Sequence, residues 1–202
     1  MSIAFMGLQI IGICAIFFAL ALLLSGDGSR EQKMMEYFLV GALILNIGYL
    51  LELTAPTMEA ALVAVKMQHL GTMTIPICYC YFIYIYCFEE APLKILKLLG
   101  IIDGCLLLAI LTSDHYGLFY RQVGWQTTVE GHSYLFLEYG PGFVVFIVCA
   151  TLIPYVMSLR VLIRACARKG EDAVDRKYGL ILGLFSAHYS TVRICHETDA
   201  GV

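Results

Sequence analysis

Asn46, Glu52, Lys66, His69 and Asp103 place ionisable or amide groups inside apolar stretches of this sequence. Such groups are costly within a membrane span and usually face the protein interior. Between them they offer two carboxylates, an ammonium, an imidazole and an amide. A polar pocket built from these could hold a small ligand by ion pairing and hydrogen bonding. The same groups could instead satisfy one another and fix the packing of helices. Residue types alone leave both readings open. A Glu52–Lys66 pair is sterically reasonable, because a lysine stem can snorkel toward the surface. A proton path would want more carboxylates in line.

Other chemistry is poorly served. Cys78, Cys80 and Cys87 cluster in CYCYFIYIYC, but no C-x-x-C occurs, and Cys78-Tyr79-Cys80 is one residue tighter than the usual structural zinc knuckle. Cys14, Cys105 and Cys149 also lie in apolar runs, where cysteine behaves as a small hydrophobe. His196-Glu197 begins an H-E-x-x-H motif, yet position 200 is Ala. There is no G-x-S-x-G and no glycine-rich phosphate loop. A membrane aspartyl protease needs two intramembrane aspartates, and only Asp103 qualifies. The only mid-helix lysine is Lys66 in the third helix, too early for a retinal Schiff base. No catalytic residue, metal ligand or cofactor is expected.

The elements that must position these side chains are membrane helices. The chain is 60% hydrophobic and only 14% charged, against about a quarter charged in soluble domains. Its apolar residues arrive in runs long enough to cross a bilayer. The spans are read as Ile3–Leu24, Met34–Thr54, Glu59–Phe88, Ile95–Leu111 and Pro141–Ile163, with a polar turn GDGSREQK after the first. CYCYFIYIYC therefore belongs to a helix, since a lone strand in lipid leaves its backbone unpaired. A sixth apolar start, YGLILGLFSAHY, stops after about a dozen residues, too few to span. Pro154 and Pro76 are the positions where a span could break or kink.

The turns after helices one, three and five collect Arg30, Lys33, Lys94, Lys97, Arg160, Arg164, Arg168, Lys169, Arg176 and Lys177, whereas the other side has Arg121. Basic residues favour cytoplasmic loops, which puts the N-terminus outside. The long outer connection, Thr112 to Gly140, shows partial alternation in GLFYRQVGWQ and HSYLFLEY, separated by VEG. A small extracellular β-hairpin capping the bundle is expected there. It carries Arg121 and Trp125, which serve either a ligand site or a packed lid. The lid is favoured, because aromatics are common near membrane surfaces.

The fold class is thus all-α: a polytopic transmembrane bundle of five full helices and an incomplete sixth. The order of NIGYLLEL, KMQHLGTMTIP and YGPGF, with Lys66, Gly71 and Pro76 on helix three and Tyr139-Gly140-Pro141 opening helix five, resembles the N-terminal seven-helix sensory region of bacterial histidine kinases. The same region precedes diguanylate cyclase domains. The resemblance covers residues 1–185 and implies a bundle that senses a stimulus at or within the bacterial plasma membrane and controls a cytoplasmic output domain. The polar tail 186–202 departs from the family, as a truncation or frameshift would. Kinase or cyclase activity is then a property of relatives, not of this chain.

Expected partners are the lipid bilayer, a small-molecule or membrane-derived stimulus and a second copy in a homodimer. Nucleic acid is not expected. The alternative function is a small membrane transporter or transporter subunit. Transporters commonly show repeats and broken helices. No convincing repeat is visible, but the two prolines keep that reading open.

Overall fold

The computed structural model describes residues 3–26, 28–87, 90–112, 117–127 and 133–167. In chain order these form α1 (Ile3–Leu24), α2 (Arg30–Leu53), α3 (Met58–Tyr86), α4 (Leu93–Leu111), β1 (Tyr120–Thr127) and β2 (Ser133–Tyr139). Then follow α5 (Pro141–Phe146), a π-helical segment (Ile147–Leu152) and α6 (Ile153–Ala167). Contacts divide the chain after Ser158. The packing below is that of the first unit. The described part of the second is the closing stretch of α6, residues 159–167. The sixth apolar segment, the tail from Ser186 and His196-Glu197 lie outside the described residues.

Capping moves one boundary. Polarity alone read GDGSREQK as a turn, yet α2 begins at Arg30, four residues before the expected Met34. The Ser29 hydroxyl accepts from the Gln32 N–H at 3.2 Å, and the Gln32 carboxamide accepts from the Gly28 N–H at 3.0 Å. This is an S-x-x-Q variant of the capping box. Gln32 Nε2 also donates to the Leu23 carbonyl, tying the start of α2 to the end of α1. Gly28, at a φ of 72°, makes the tight turn between them. At the next connection the Thr57 hydroxyl caps α3 by accepting from the Ala60 N–H at 3.3 Å.

α3 is helical through Tyr86, so CYCYFIYIYC is helix as its surroundings require. Among the described residues no group of three or more His, Cys, Asp or Glu side chains could hold a metal ion. α2 and α3 share the most extensive helix–helix contact, and small residues make it possible. Gly41 faces Gly71, Thr74 and Ile75, while Gly48 faces Ala64 and Gln68. A Cβ on Gly71 would stand 2.6 Å from the Gly41 carbonyl oxygen and 2.7 Å from the Leu45 nitrogen. The two backbones therefore touch, as in small-residue packing between membrane helices. α1 packs on α2 and leaves Leu8, Ile11, Phe17, Phe18 and Leu22 exposed.

The core joins Val65 and Met73 of α3, Leu106 and Ile110 of α4, Phe119 and Tyr120 at the hairpin base, Phe146 of α5 and Ala150 of the π segment. The hairpin itself is antiparallel, with Val123 opposite Leu137 and Trp125 opposite Leu135. Strand alternation puts those four on one face, and Val123, Leu135 and Leu137 pack on the core. Gln122, Gly124, Gln126, Tyr134, Phe136 and Glu138 make the other face.

Among the described residues three helices are long and apolar enough to cross a membrane: Met6–Leu24, Arg30–Leu53 and Pro141–Ala165. α4 carries Lys94, Lys97 and Asp103, and α3 carries Lys66, Gln68 and His69, which dilutes their apolarity. The fifth expected helix exists but is not one regular rod. Within it the Ile153 N–H bonds back five residues to the Val148 carbonyl. Pro154 supplies the reason: it has no N–H, and its ring would collide with the carbonyl of Ala150 in a regular α-helix. A widened π turn relieves that collision.

Candidate functional site

The candidate polar residues divide by helix face. Asn46, on the α1 side of α2, accepts from Gln9 Nε2 at 2.8 Å through Oδ1 and donates to its own helix at the Ala42 carbonyl. Glu52, one turn beyond Gly48 on the α3 side, accepts from Gln68 Nε2 at 2.6 Å. Lys66 reaches across to the last turn of α4, donating to the Leu111 carbonyl at 3.4 Å. These contacts join α1 to α2, α2 to α3, and α3 to α4. Each is a hydrogen bond between two helices.

His69 and Asp103 stand apart from that set. Gln68 and His69 are neighbours in sequence but lie about 100° apart around the helix. Gln68 consequently meets α2, while His69 enters the core beneath the hairpin. The His69 ring is 6% exposed. It meets Phe119 at 5.1 Å and Phe146 at 5.4 Å, both edge-on, and Tyr120 at 6.1 Å. Edge-to-face contacts of this kind add about 0.5–1.5 kcal/mol beyond simple burial. Its Nε2 is buried without a hydrogen-bond partner.

Asp103 belongs to the buried stripe Leu96, Leu99, Asp103, Leu106 and Ile110 along α4. Leu106 and Ile110 touch the core, so the stripe faces α3 and the π segment. Both Asp103 carboxylate oxygens are buried without a hydrogen-bond partner, as are Thr151 Oγ1 and the Tyr79 hydroxyl. The Tyr79 ring lies between Phe38 at 6.2 Å and Tyr155 at 6.1 Å.

The hairpin reaches this core through Phe119, which is fully buried. Its ring contacts His69, Tyr120, Tyr139, Phe143 and Phe146. Tyr139 and Phe143 stack at 3.8 Å. Two backbone bonds fasten the hairpin base to α5, from Gly140 N–H to the Phe119 carbonyl at 2.8 Å and from Gly142 N–H to the Leu118 carbonyl at 3.0 Å. Trp125 is half-buried, on the same strand face as Val123. Arg121 lies 4.0 Å from Glu138 with both side chains exposed. An exposed pair of that kind contributes little.

Sequence reading overlooked Phe119, Phe146 and Thr151, and it did not foresee Gln9 and Gln68 as the partners of Asn46 and Glu52. The aromatic residues after Tyr139-Gly140-Pro141 were the available signal for Phe146, and the Phe119-Tyr120 pair in GLFYRQVGWQ was the signal for Phe119. Nothing in the local pattern marks Gln9, which is 37 positions from Asn46.

The arrangement holds no nucleophile–base pair and no metal cluster among the described residues. It is a packed aromatic core with unpartnered polar atoms, closed on one side by a hairpin. No curated protein and no solved structure matches the chain. The family described as the N-terminal 7TM region of histidine kinase matches residues 8–193, a sensory region and not a catalytic domain. The chain therefore belongs to the family of N-terminal 7TM regions of histidine kinases.

Proposed function

We propose that this protein is the signal-input module of a bacterial signal-transduction protein. Its five described helical spans cross the plasma membrane with the N-terminus and hairpin outside. The positive-inside bias of its short connections supports that orientation. A small-molecule or membrane-derived stimulus acts on the hairpin and on the core below it, in a homodimer of such modules.

One observation carries this reading: Phe119 and Tyr120, at the hairpin base, pack directly on His69 inside the helix bundle. Whatever displaces the hairpin must repack that core, so binding outside is felt between the helices. A stimulus shifts the population only as far as its affinity differs between the two packings. Of the five polar candidates, His69 and Asp103 are the ones that stimulus would act through. Asn46, Glu52 and Lys66 hold helices in place.

The test replaces the input region of a histidine kinase with this chain. His69→Leu and Phe119→Ala are compared with the parent at equal membrane levels. Coupling of the usual size predicts an output changed about fivefold or more. Output equal to the parent in both variants sinks the proposal.

A second reading, a small transporter, draws on the π segment and Pro154. Uptake of a solute that depends on this chain alone would favour it.

A further inference from the structure

The level at which Asp103 lies can be worked out from two independent anchors. Lys66 bonds to the Leu111 carbonyl, and α3 and α4 run antiparallel. Eight residues down each helix, about 12 Å at 1.5 Å per residue, Asp103 comes level with Thr74. On the other side, His69 meets Phe146, and further down Tyr79 meets Tyr155. Those two contacts bracket Ala150 and Thr151 at the same level of α3. The π segment packs on both α3 and α4.

Prolines strip backbone donors on both sides of this level. Pro76 lies inside α3 and is buried. Having no N–H, it leaves the Thr72 carbonyl without its helical donor. Pro154 is fully buried and follows directly after the π-type bond from Ile153 to Val148. The carbonyls it would have served are Cys149 in the π register and Ala150 in the α register. At the same level lie the Thr151 hydroxyl and the two Asp103 oxygens, all buried without a hydrogen-bond partner. Asp103 is 5% exposed. The level gathers oxygen acceptors, and the Thr151 hydroxyl is the one donor named among them.

Such a set suits a hard cation. One carboxylate with neutral oxygens balances a single charge. A divalent ion such as calcium or magnesium carries twice the charge that one carboxylate balances, and magnesium also keeps several waters in its shell, which a dry core does not supply. Oxygen-only chemistry also rules against the softer metals that thiolate and imidazole select. Backbone carbonyls freed where a helix is irregular are what secondary transporters use to coordinate sodium. We infer that Asp103, Thr151 and the backbone carbonyls freed by Pro76 and Pro154 form a site for a sodium-sized monovalent cation between α3, α4 and the π segment. The inference rests on the reading of the bundle as a membrane-spanning module. It gives the helix irregularity a purpose: the site ties together the three elements that meet beneath the hairpin.

The experiment is thermal unfolding of the full chain in mild detergent at fixed pH and ionic strength. Choline chloride is replaced stepwise by sodium, potassium or lithium chloride. At about a hundred times the dissociation constant, site-specific binding raises the midpoint by roughly 5–10 °C for a chain of this size. The rise should saturate, favour sodium over choline, and vanish in Asp103→Asn. Thr151→Val should weaken it, and Glu52→Gln, outside the site, should keep it. If Asp103→Asn does not fold, loss of the sodium response in Thr151→Val alone carries the inference, and its full retention overturns it. Equal midpoints in sodium and choline for the parent protein also overturn it. That failure would leave the signal-input reading intact, because reporter output from the chimaera is measured separately. Loss of coupling in the chimaera would leave the cation response standing.

Discussion

Gly71→Ala should destabilise the protein although alanine is the better helix former. The added methyl would lie 2.6 Å from the Gly41 carbonyl oxygen and 2.7 Å from the Leu45 nitrogen, whereas real Cβ atoms essentially never approach closer than 3.0 Å. Both obstacles are backbone, so no side chain can swing aside and α2 must back away from α3. Overpacking of this kind costs about 1–3 kcal/mol. The intrinsic gain of alanine over glycine in a helix returns about 0.8–1.0 kcal/mol. A net loss near 1 kcal/mol remains, and more if the separation also loosens the Gln68–Glu52 bond. Gly12→Ala is the matched control, because its added methyl meets nothing within 4 Å. There the propensity gain stands alone, at up to about 1 kcal/mol. The two variants should differ by about 2 kcal/mol, or roughly 4–8 °C in unfolding midpoint for a chain of this size. Circular dichroism at 222 nm (about the α-helical band) during heating in mild detergent reads it. If both variants move the midpoint in the same direction, touching backbones do not hold α2 on α3.

Two further outcomes follow from the hairpin. Phe119→Ala removes the ring that meets five other aromatic side chains, and truncating a buried phenylalanine costs about 3–5 kcal/mol; trypsin should then cut after Arg121 much faster than in the parent, and an unchanged rate would show that Phe119 does not dock the hairpin. Gln126→Cys, on the outward face, should react with a membrane-impermeant maleimide in intact cells, and Lys97→Cys only after permeabilisation. The opposite pattern would invert the proposed orientation.

The elements were legible where local physics decides them. The hairpin declared itself by alternation on both sides of VEG, and its strands fall at Tyr120–Thr127 and Ser133–Tyr139. Helix three was legible because an unpaired strand is excluded from lipid. The start of α2 was misread because polar residues outweighed the Ser29–Gln32 capping pair. The π segment could not be read at all. Pro154 announces that one hydrogen bond is missing, but not whether the helix kinks, breaks or widens. That choice depends on what packs against Ala150, which is fully buried in the core. The candidate site was legible as a list of residues and not as an arrangement. Glycines set the facing of α2: Glu52 shares the face of Gly48, and Asn46 turns toward α1. Without knowing that Gly41 and Gly48 meet α3, five polar residues look like one pocket. Asn46 bonds to α1, Glu52 to α3 and Lys66 to the end of α4, while His69 packs beneath the hairpin.

The division has a mechanical consequence. The contacts of Asn46 and Glu52 bind α1, α2 and α3, and the Gly41–Gly71 crossing leaves that part little freedom to slide. The hairpin, by contrast, is fastened at its base to α5 by the Gly140 and Gly142 N–H bonds, and β2 runs into α5 through Gly140. Hairpin and α5 must therefore move together, pivoting on the ring cluster of Phe119, Phe143 and Phe146 against His69. The first place below α5 where the helical register is not fixed by regular α-helical bonding is the π segment. Strain applied at the hairpin will collect there before it reaches α6. Moving a two-state equilibrium from 1:99 to 99:1 takes about 5.5 kcal/mol of differential binding, several times the value of a single edge-on ring contact. A stimulus that alters only the outward face of the hairpin will not supply it. In the proposed input role it must change how Phe119 sits on His69, so the proposal places sensing in the aromatic core rather than on the exposed strand face.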